Sequence, residues 1–147
     1  MKPEIKNLLL SCFQPKELYL DLYFSNCLCF AISDDYEIYE LKKNQLYDFK
    51  LAGVLFYNKD ANLIQIFGVD PNLRGKKYGY YLLKYLVEDF LPENRSRGTI
   101  VKLHVRVSNT KAIELYTKVG FKIDERTESY YKYTDDEEDA YLMSYRI

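Results

Sequence analysis

The stretch from Val69 to Leu83 constrains this chain more than any other. An apolar, strand-like run, Leu63 to Val69, ends at Asp70-Pro71-Asn72-Leu73. The loop Arg74-Gly75-Lys76-Lys77-Tyr78-Gly79 follows, and a helical pattern begins at Tyr80. The first N–H groups of a helix have no intrahelical partner and lie at its positive end. Here that end sits beside three cationic side chains, an arrangement suited to phosphate. Gly75 and Gly79 let a ligand come close to the backbone. Taken alone, the stretch fits a plain strand-to-helix turn with solvated basic residues equally well.

The chain has 147 residues, enough for one domain and one core spanning 1–147. Residues 4–24 read as helical, with Ile5, Leu8, Leu9, Phe13, Leu18 and Leu22 apolar and a break at Pro15. Residues 27–32 form a short apolar strand, and Asp34-Asp35 mark a turn. Residues 36–50 fit either a strand or an irregular connection. Strands over 51–57 and 63–69 flank the turn Asn58-Lys59-Asp60. A helix over 80–91 carries Leu82, Leu83, Leu86 and Phe90 on one face, and Pro92 is expected to stop it. In 100–107, Val101, Leu103, Val105 and Val107 alternate with Lys102, His104 and Arg106, the period of a half-buried strand. Asn109 suits the N-cap of a helix over 110–118, and Gly120 suits its C-terminal end. A strand begins at Phe121. Residues 129–134 and 140–146 read as a hairpin across the acidic turn Asp135–Asp139. The order predicts an α/β (α+β) fold: a mixed, mostly antiparallel sheet flanked by helices.

A formal net charge of -1 leaves no basic surplus, which argues against a general nucleic-acid binder. Leu8-Leu9-Leu10 is far too short to span a membrane. Cys12, Cys27 and Cys29, with His104 as the only histidine, show no metal-ligand spacing. They read as buried thiols in a reducing compartment, so the cytoplasm is the expected location, and the nucleus is a second location compatible with the sequence.

The pattern Arg74-x-x-Lys77-x-Gly79 after Val69-Asp70-Pro71 resembles the pyrophosphate signature of the GNAT superfamily of N-acetyltransferases. The family usually has glycine where Lys77 stands. A second segment, Asn109-x-x-Ala112-x-x-x-Tyr116-x-x-x-Gly120-Phe121, resembles the family's strand-helix-strand unit. Two motifs in the right order are far more specific than either one. The resemblance covers residues 50–147. It implies acetyl-coenzyme A as cofactor, transfer of its acetyl group to a primary amine, and a cofactor site built from Phe67, Gly68, Val69, Arg74, Gly75, Lys76, Lys77, Tyr78, Gly79, Tyr80, Asn109 and Tyr116. Within it, Tyr116 is the general acid for the departing thiolate, and the backbone around Gly68 and Val69 polarises the acetyl carbonyl. Asn109 would cap its helix, contact the cofactor, or do both. The family usually begins with a strand before its first helix, and the helical pattern starting near Met1 predicts that this strand is missing or replaced.

The run Leu103-His104-Val105 with Ser108-Asn109 is similar to the protein N-terminal acetyltransferase branch. That branch implies His104 as general base, often through water. It often carries a tyrosine at the position matching Leu63, and its absence leaves His104 acting alone, or with Tyr57 or a water chain. The branch also implies that Tyr130 and Tyr131 hold a peptide backbone, and that Phe13, Pro15 and Tyr19 lie in a substrate loop. A peptide α-amine, with a reference pKa of about 7.7–8.0 against about 10.4 for lysine, suits a single histidine base. The other acceptors compatible with the sequence are small polyamine-like amines, which the acidic turn would favour, and lysine. A reading of another class is a catalytically weak acyl-coenzyme A-binding or regulatory subunit. An auxiliary subunit or a homodimer is compatible with all of these.

Overall fold

The computed structural model describes residues 4–5, 8, 24–42, 48–128 and 139–147. Among them, seven strands form one sheet in the order β2-β1-β3-β4-β5-β7-β6. The strands are β1 (Leu28–Ser33), β2 (Ile38–Leu41), β3 (Leu51–Asn58), β4 (Leu63–Val69), β5 (Ile100–Arg106), β6 (Lys122–Thr127) and β7 (Ala140–Arg146). All neighbours are antiparallel except β4 and β5. The ambiguous stretch after Tyr36 thus contributes β2, which pairs with β1 at the sheet edge. Among the described residues no strand precedes β1. The short β2, outside the expected order of elements, covers the β1 edge that a missing first strand would leave open.

The two faces of the sheet carry separate cores. On one face, Phe30, Leu55, Ile64, Val101, Leu103, Val105 and Met143 pack against Leu82, Leu83, Leu86, Leu91 and Tyr116. On the other, Cys29, Ala31, Val54, Phe56 and Ile66 pack against Ile5, Leu8 and Phe24. Cys29 is buried as expected, but Cys27 is only half-buried. It lies just before β1, and its thiol donates to Gln65 Oε1 at 3.0 Å. Burial pushes the Cys27 thiol up to about 11, and pushes Cys29 higher still. Both stay protonated near neutral pH. Cys12 lies outside the described residues.

Helix α1 (Tyr78–Lys84) does not stop at Pro92. It widens into a π-helical turn (Tyr85–Phe90) and ends in a short α2 (Leu91–Asn94), where Pro92 occupies the first turn. A proline inside an α-helix clashes with the carbonyl four residues back and lacks an N–H to bond it. The wider turn removes that conflict by shifting the hydrogen-bond register just ahead of Pro92. It also turns Phe90 onto Phe30, with ring centroids 4.7 Å apart. Helix α3 (Thr110–Val119) is capped as expected: the Asn109 side chain accepts from Ala112 N at 3.2 Å. Gly120 ends it at φ +126°, a backbone conformation that glycine tolerates.

The expected hairpin of 129–134 with 140–146 is corrected. Strand β7 pairs with β5 on one side and with β6 on the other, so both its edges are taken by strands of known register. Residues 129–138 lie outside the described residues.

Gly79 sets how closely α1 approaches β4. A Cβ there would lie 3.2 Å from Phe67 Cζ, 3.3 Å from Val69 Cγ2 and 3.4 Å from Leu115 Cδ2. Gly79→Val should therefore cost about 1–3 kcal/mol by overpacking. Urea denaturation checks this; an unchanged midpoint would show that α1 can slide without loss.

Candidate active site

The site follows from one irregularity in the sheet. Strand β4 pairs with β5 only at Leu63↔Lys102 and Ile64↔Leu103. Gln65 is then an extra residue against β3, where the register jumps from Tyr57↔Ile64 to Phe56↔Ile66. A bulge of this kind bends its strand. Beyond it β4 follows β3 up to Gly53↔Val69, closed by Asp70 N donating to Ala52 O at 2.8 Å. Strand β5 meanwhile follows β7. The two parallel strands part, and a slot opens between their C-terminal ends.

The register decides which backbone groups face that slot. Asp70 N donates to Ala52 O across the pair, so alternate residues Gly68 and Ile66 turn their N–H and C=O toward β3. Phe67 and Val69 turn theirs toward the slot. The amide at Gly68 itself is thus used in the sheet, and the cleft-facing backbone belongs to its neighbours. Val69 O accepts from Arg74 Nε at 3.3 Å, which folds the Arg74 side chain back over the strand end.

Both helices that follow these strands start at the open end of the slot. Strand ends of this kind, where neighbouring strands diverge, are where α/β sheets receive ligands. The α1 start carries the basic loop. Gly75 has φ +81°, and nothing lies within 4 Å of the place its Cβ would take. The first intrahelical bond runs from Tyr81 N to Lys77 O at 3.1 Å. The amides of Tyr78, Gly79 and Tyr80 precede it and form the positive end of the helix. Lys76 and Lys77 are exposed here, and Tyr80 is half-buried with the Lys84 and Lys118 ammonium groups 5.6 and 4.8 Å from its ring centre. The set fits a pyrophosphate: an open glycine, a fan of helix-end amides and several cations.

Lys77 explains its own departure from the family pattern. It is the N-cap of α1 at φ +68°, ψ +14°, the left-handed region. Glycine reaches this region freely, whereas a residue with a Cβ loses roughly 1–2 kcal/mol there. Lys77 thus holds a backbone conformation that glycine would favour, at a strain cost, while adding a charge. Gly79, by contrast, serves packing and is buried under Phe67 and Leu115. Tyr78 is buried as well, and its hydroxyl donates to Asp34 O at 2.6 Å. Its side chain therefore faces the β1–β2 turn, and only its amide is left for a ligand.

Tyr116 is buried in the wall formed by α3, with its ring 6.0 Å from that of Phe67 on β4 and 6.1 Å from that of Phe121. His104 lies on the opposite face of β5 from Leu103 and Val105, half-buried, across from Leu142 of β7. Burial holds its imidazole below the usual 6.5; Glu125 opposes this and Lys102 adds to it. Tyr116 and His104 thus stand on opposite faces of the sheet, with the β4–β5 slot connecting the two. Tyr57 cannot replace the missing tyrosine at Leu63. It is fully buried, and its hydroxyl donates to Asn62 Oδ1 at 2.7 Å in the β3–β4 turn. Leu63 itself sits in the paired part of β4, beside Lys102. Phe13, Pro15, Tyr19, Tyr130 and Tyr131 lie outside the described residues. Two contributors escaped the sequence reading. Glu125 on β6 acts on His104 through its charge, and Tyr36 touches the basic loop from the β1–β2 turn, its hydroxyl donating to Lys76 O at 2.9 Å. Neither lies in a motif, and each acts on a residue far along the chain.

Comparison with known proteins bears on the fold and the family. The [Ribosomal protein bS18]-alanine N-acetyltransferase of Escherichia coli K12 is 38% identical over 88 residues, 60% of this chain and 57% of that protein. The match thus spans little more than half the length of that relative. The crystal structure of the ribosomal-protein-S18-alanine N-acetyltransferase from Escherichia coli superposes with a TM-score of 0.72 at 21% identity, covering 99% of this chain and 86% of that one. Naa50 of Arabidopsis thaliana, in complex with a bisubstrate analogue, gives 0.71 at 23% identity, covering 98% and 91%. These two likenesses are of fold. The model of the acetyltransferase (GNAT) family matches residues 3–121, and the chain belongs to that family.

Proposed function

We propose that this chain is an acetyl-coenzyme A-dependent N-acetyltransferase whose acceptor is the α-amine of a protein or peptide N-terminus. The observation that carries this reading is the β4–β5 slot, with the cationic helix end at its mouth, Tyr116 on one face and His104 on the other. Acetyl-coenzyme A, when bound, supplies an activated thioester. The α1 amides and the Arg74, Lys76 and Lys77 cations hold its pyrophosphate. The slot-facing amides of Phe67 and Val69 are placed to donate to the acetyl oxygen and stabilise the charge that develops there. The Tyr116 hydroxyl gives a proton to the departing sulfur, and His104 takes one from the attacking amine, directly or through water.

The choice of amine rests on His104. Burial keeps its ring neutral near pH 7, so it is available as a base. A weak base of this kind suits an α-amine with a pKa of about 7.7–8.0 and is poorly matched to lysine at about 10.4. The name of the Escherichia coli relative, an alanine N-acetyltransferase acting on a ribosomal protein, points the same way. The protonated thiols Cys27 and Cys29 suit a reducing compartment, as the cytoplasm is.

Thiol release from acetyl-coenzyme A, measured across peptides with free N-termini, N-blocked lysine peptides and polyamines, tests the reading. Turnover confined to free N-termini is expected; turnover only with polyamines or lysine would move the acceptor elsewhere. Tight cofactor binding without turnover on any amine would leave a binding subunit. Tyr116→Phe should lower kcat by about 10²-fold or more, as loss of a general acid does, while the Kd for coenzyme A stays unchanged. An unaltered kcat would remove Tyr116 from the chemistry. The pH profile carries a sign. A base must be neutral to act, and burial lowers the His104 pKa. The acid limb of kcat/KM should therefore rise through a pKa below 6.5 and vanish in His104→Gln. A limb unchanged in that variant would assign the proton to another group.

A further inference from the structure

The turn between β1 and β2 touches the basic loop through two crossed hydrogen bonds. Tyr36 OH donates to Lys76 O at 2.9 Å, and Tyr78 OH donates to Asp34 O at 2.6 Å. Each side contributes one hydroxyl and one carbonyl. The two rings stack, with centroids 4.4 Å apart and planes 19° off parallel, and Tyr81 meets Tyr36 edge-on at 5.8 Å. Tyr36 has φ +67°, so it is itself left-handed. Its turn is fixed from within: Ser33 N donates to Glu37 O at 2.9 Å, Tyr36 N to Ser33 O at 3.0 Å, and Glu37 N to Ser33 Oγ at 3.1 Å. Asp34 N donates to Lys50 O at 2.9 Å, which ties the turn to the residue before β3.

The residue held by this clasp is the one that most needs holding. Lys77 lies between the two bonded residues, Lys76 and Tyr78, and is left-handed without a glycine's freedom. Unclasped, a lysine there would favour the right-handed or extended regions, and the amides of α1's first turn would lose their common direction. With the carbonyl before it and the side chain after it both anchored, its torsions have little freedom. We propose that Tyr36 is a positioning residue for coenzyme A binding, which with Tyr78 clasps the β1–β2 turn to the phosphate loop and keeps Lys77 in the left-handed conformation.

The inference rests on the coenzyme A site proposed above, and the experiment separates the two. Calorimetry with coenzyme A is run on the whole chain and on Tyr36→Phe, which keeps the ring stack and loses the hydroxyl. The expected result is a Kd weaker by about five- to tenfold, the scale of one residue's aversion to the left-handed region. The KM for acetyl-coenzyme A rises in step, while kcat at saturation and the melting temperature are retained. The same substitution is then made with Lys77→Gly as background. Glycine needs no clasp, so the penalty should shrink to within about twofold. Tyr78→Phe, which cuts the second bond, should weaken coenzyme A by a similar factor. Unchanged affinity in Tyr36→Phe overturns the proposal, and so does an equal penalty in both backgrounds. Failure of the unaltered chain to bind coenzyme A would overturn the site itself, and the clasp's role with it.

Discussion

The site depends on a disagreement between two parallel neighbours. Strand β4 is bonded to β3 along its length and β5 to β7, but β4 and β5 share only two paired positions. Gln65 is where they part. One extra residue bends β4 after Ile64 and shifts its alternation, so that Ile64 faces one core and Ile66 the other. The result is a slot through an otherwise continuous sheet, lined with backbone amides. Such amides cost little reorganisation when a charge develops beside them, because the sheet already fixes their direction.

Once the slot exists, the helices need only start in the right place. Both α1 and α3 begin where the parallel strands end, and both caps are polar. Asn109 caps with its side chain; Lys77 caps with no side-chain bond and a left-handed backbone. The first helix therefore leaves its end amides open to a ligand, while the second closes its own with the Asn109 oxygen. In the proposed function, that division makes the α1 end the anion site and gives α3 the task of presenting Tyr116.

Much of this was legible in the sequence, and the parts that were not have physical reasons. Strands β1, β3 and β5 are apolar or alternating runs whose burial follows from the pattern alone, whereas the bulge at Gln65 breaks the period of β4. Asn109 and Gly120 act locally, so their caps could be read from position. Strand β2 was ambiguous because only Leu41 of its four residues is buried. Pro92 misled because a π-helical turn depends on packing against Phe30, more than fifty residues earlier. Cys27 read as buried because it continues the apolar pattern of β1, yet it sits before the strand begins. A strand was expected to start at Phe121, one residue before β6, but its extent and its pairing with β7 were not foreseen, since almost every side chain in it is exposed and gives no periodic signal.

His104 shows how position in the sheet sets chemistry. Leu103 and Val105 beside it belong to a closed core, while His104 turns to the other face. There it is neither dry nor fully wet. Burial disfavours its charged form, and Glu125 on β6, two strands away across β7, restores part of what burial removes. A fully exposed histidine would titrate near its reference value, and a fully buried one would be too weak a base to accept a proton near neutrality. Burial is the larger effect, so the ring stays below its reference value, with Glu125 opposing the shift and Lys102 adding to it. Neither Leu63 on β4 nor Tyr57 on β3 contributes anything comparable, because Leu63 is apolar and the Tyr57 hydroxyl is spent on Asn62. Glu125 lies on β6, on the far side from the slot. A motif that stops at β5 and α3 can therefore show His104 without showing the carboxylate that opposes its burial.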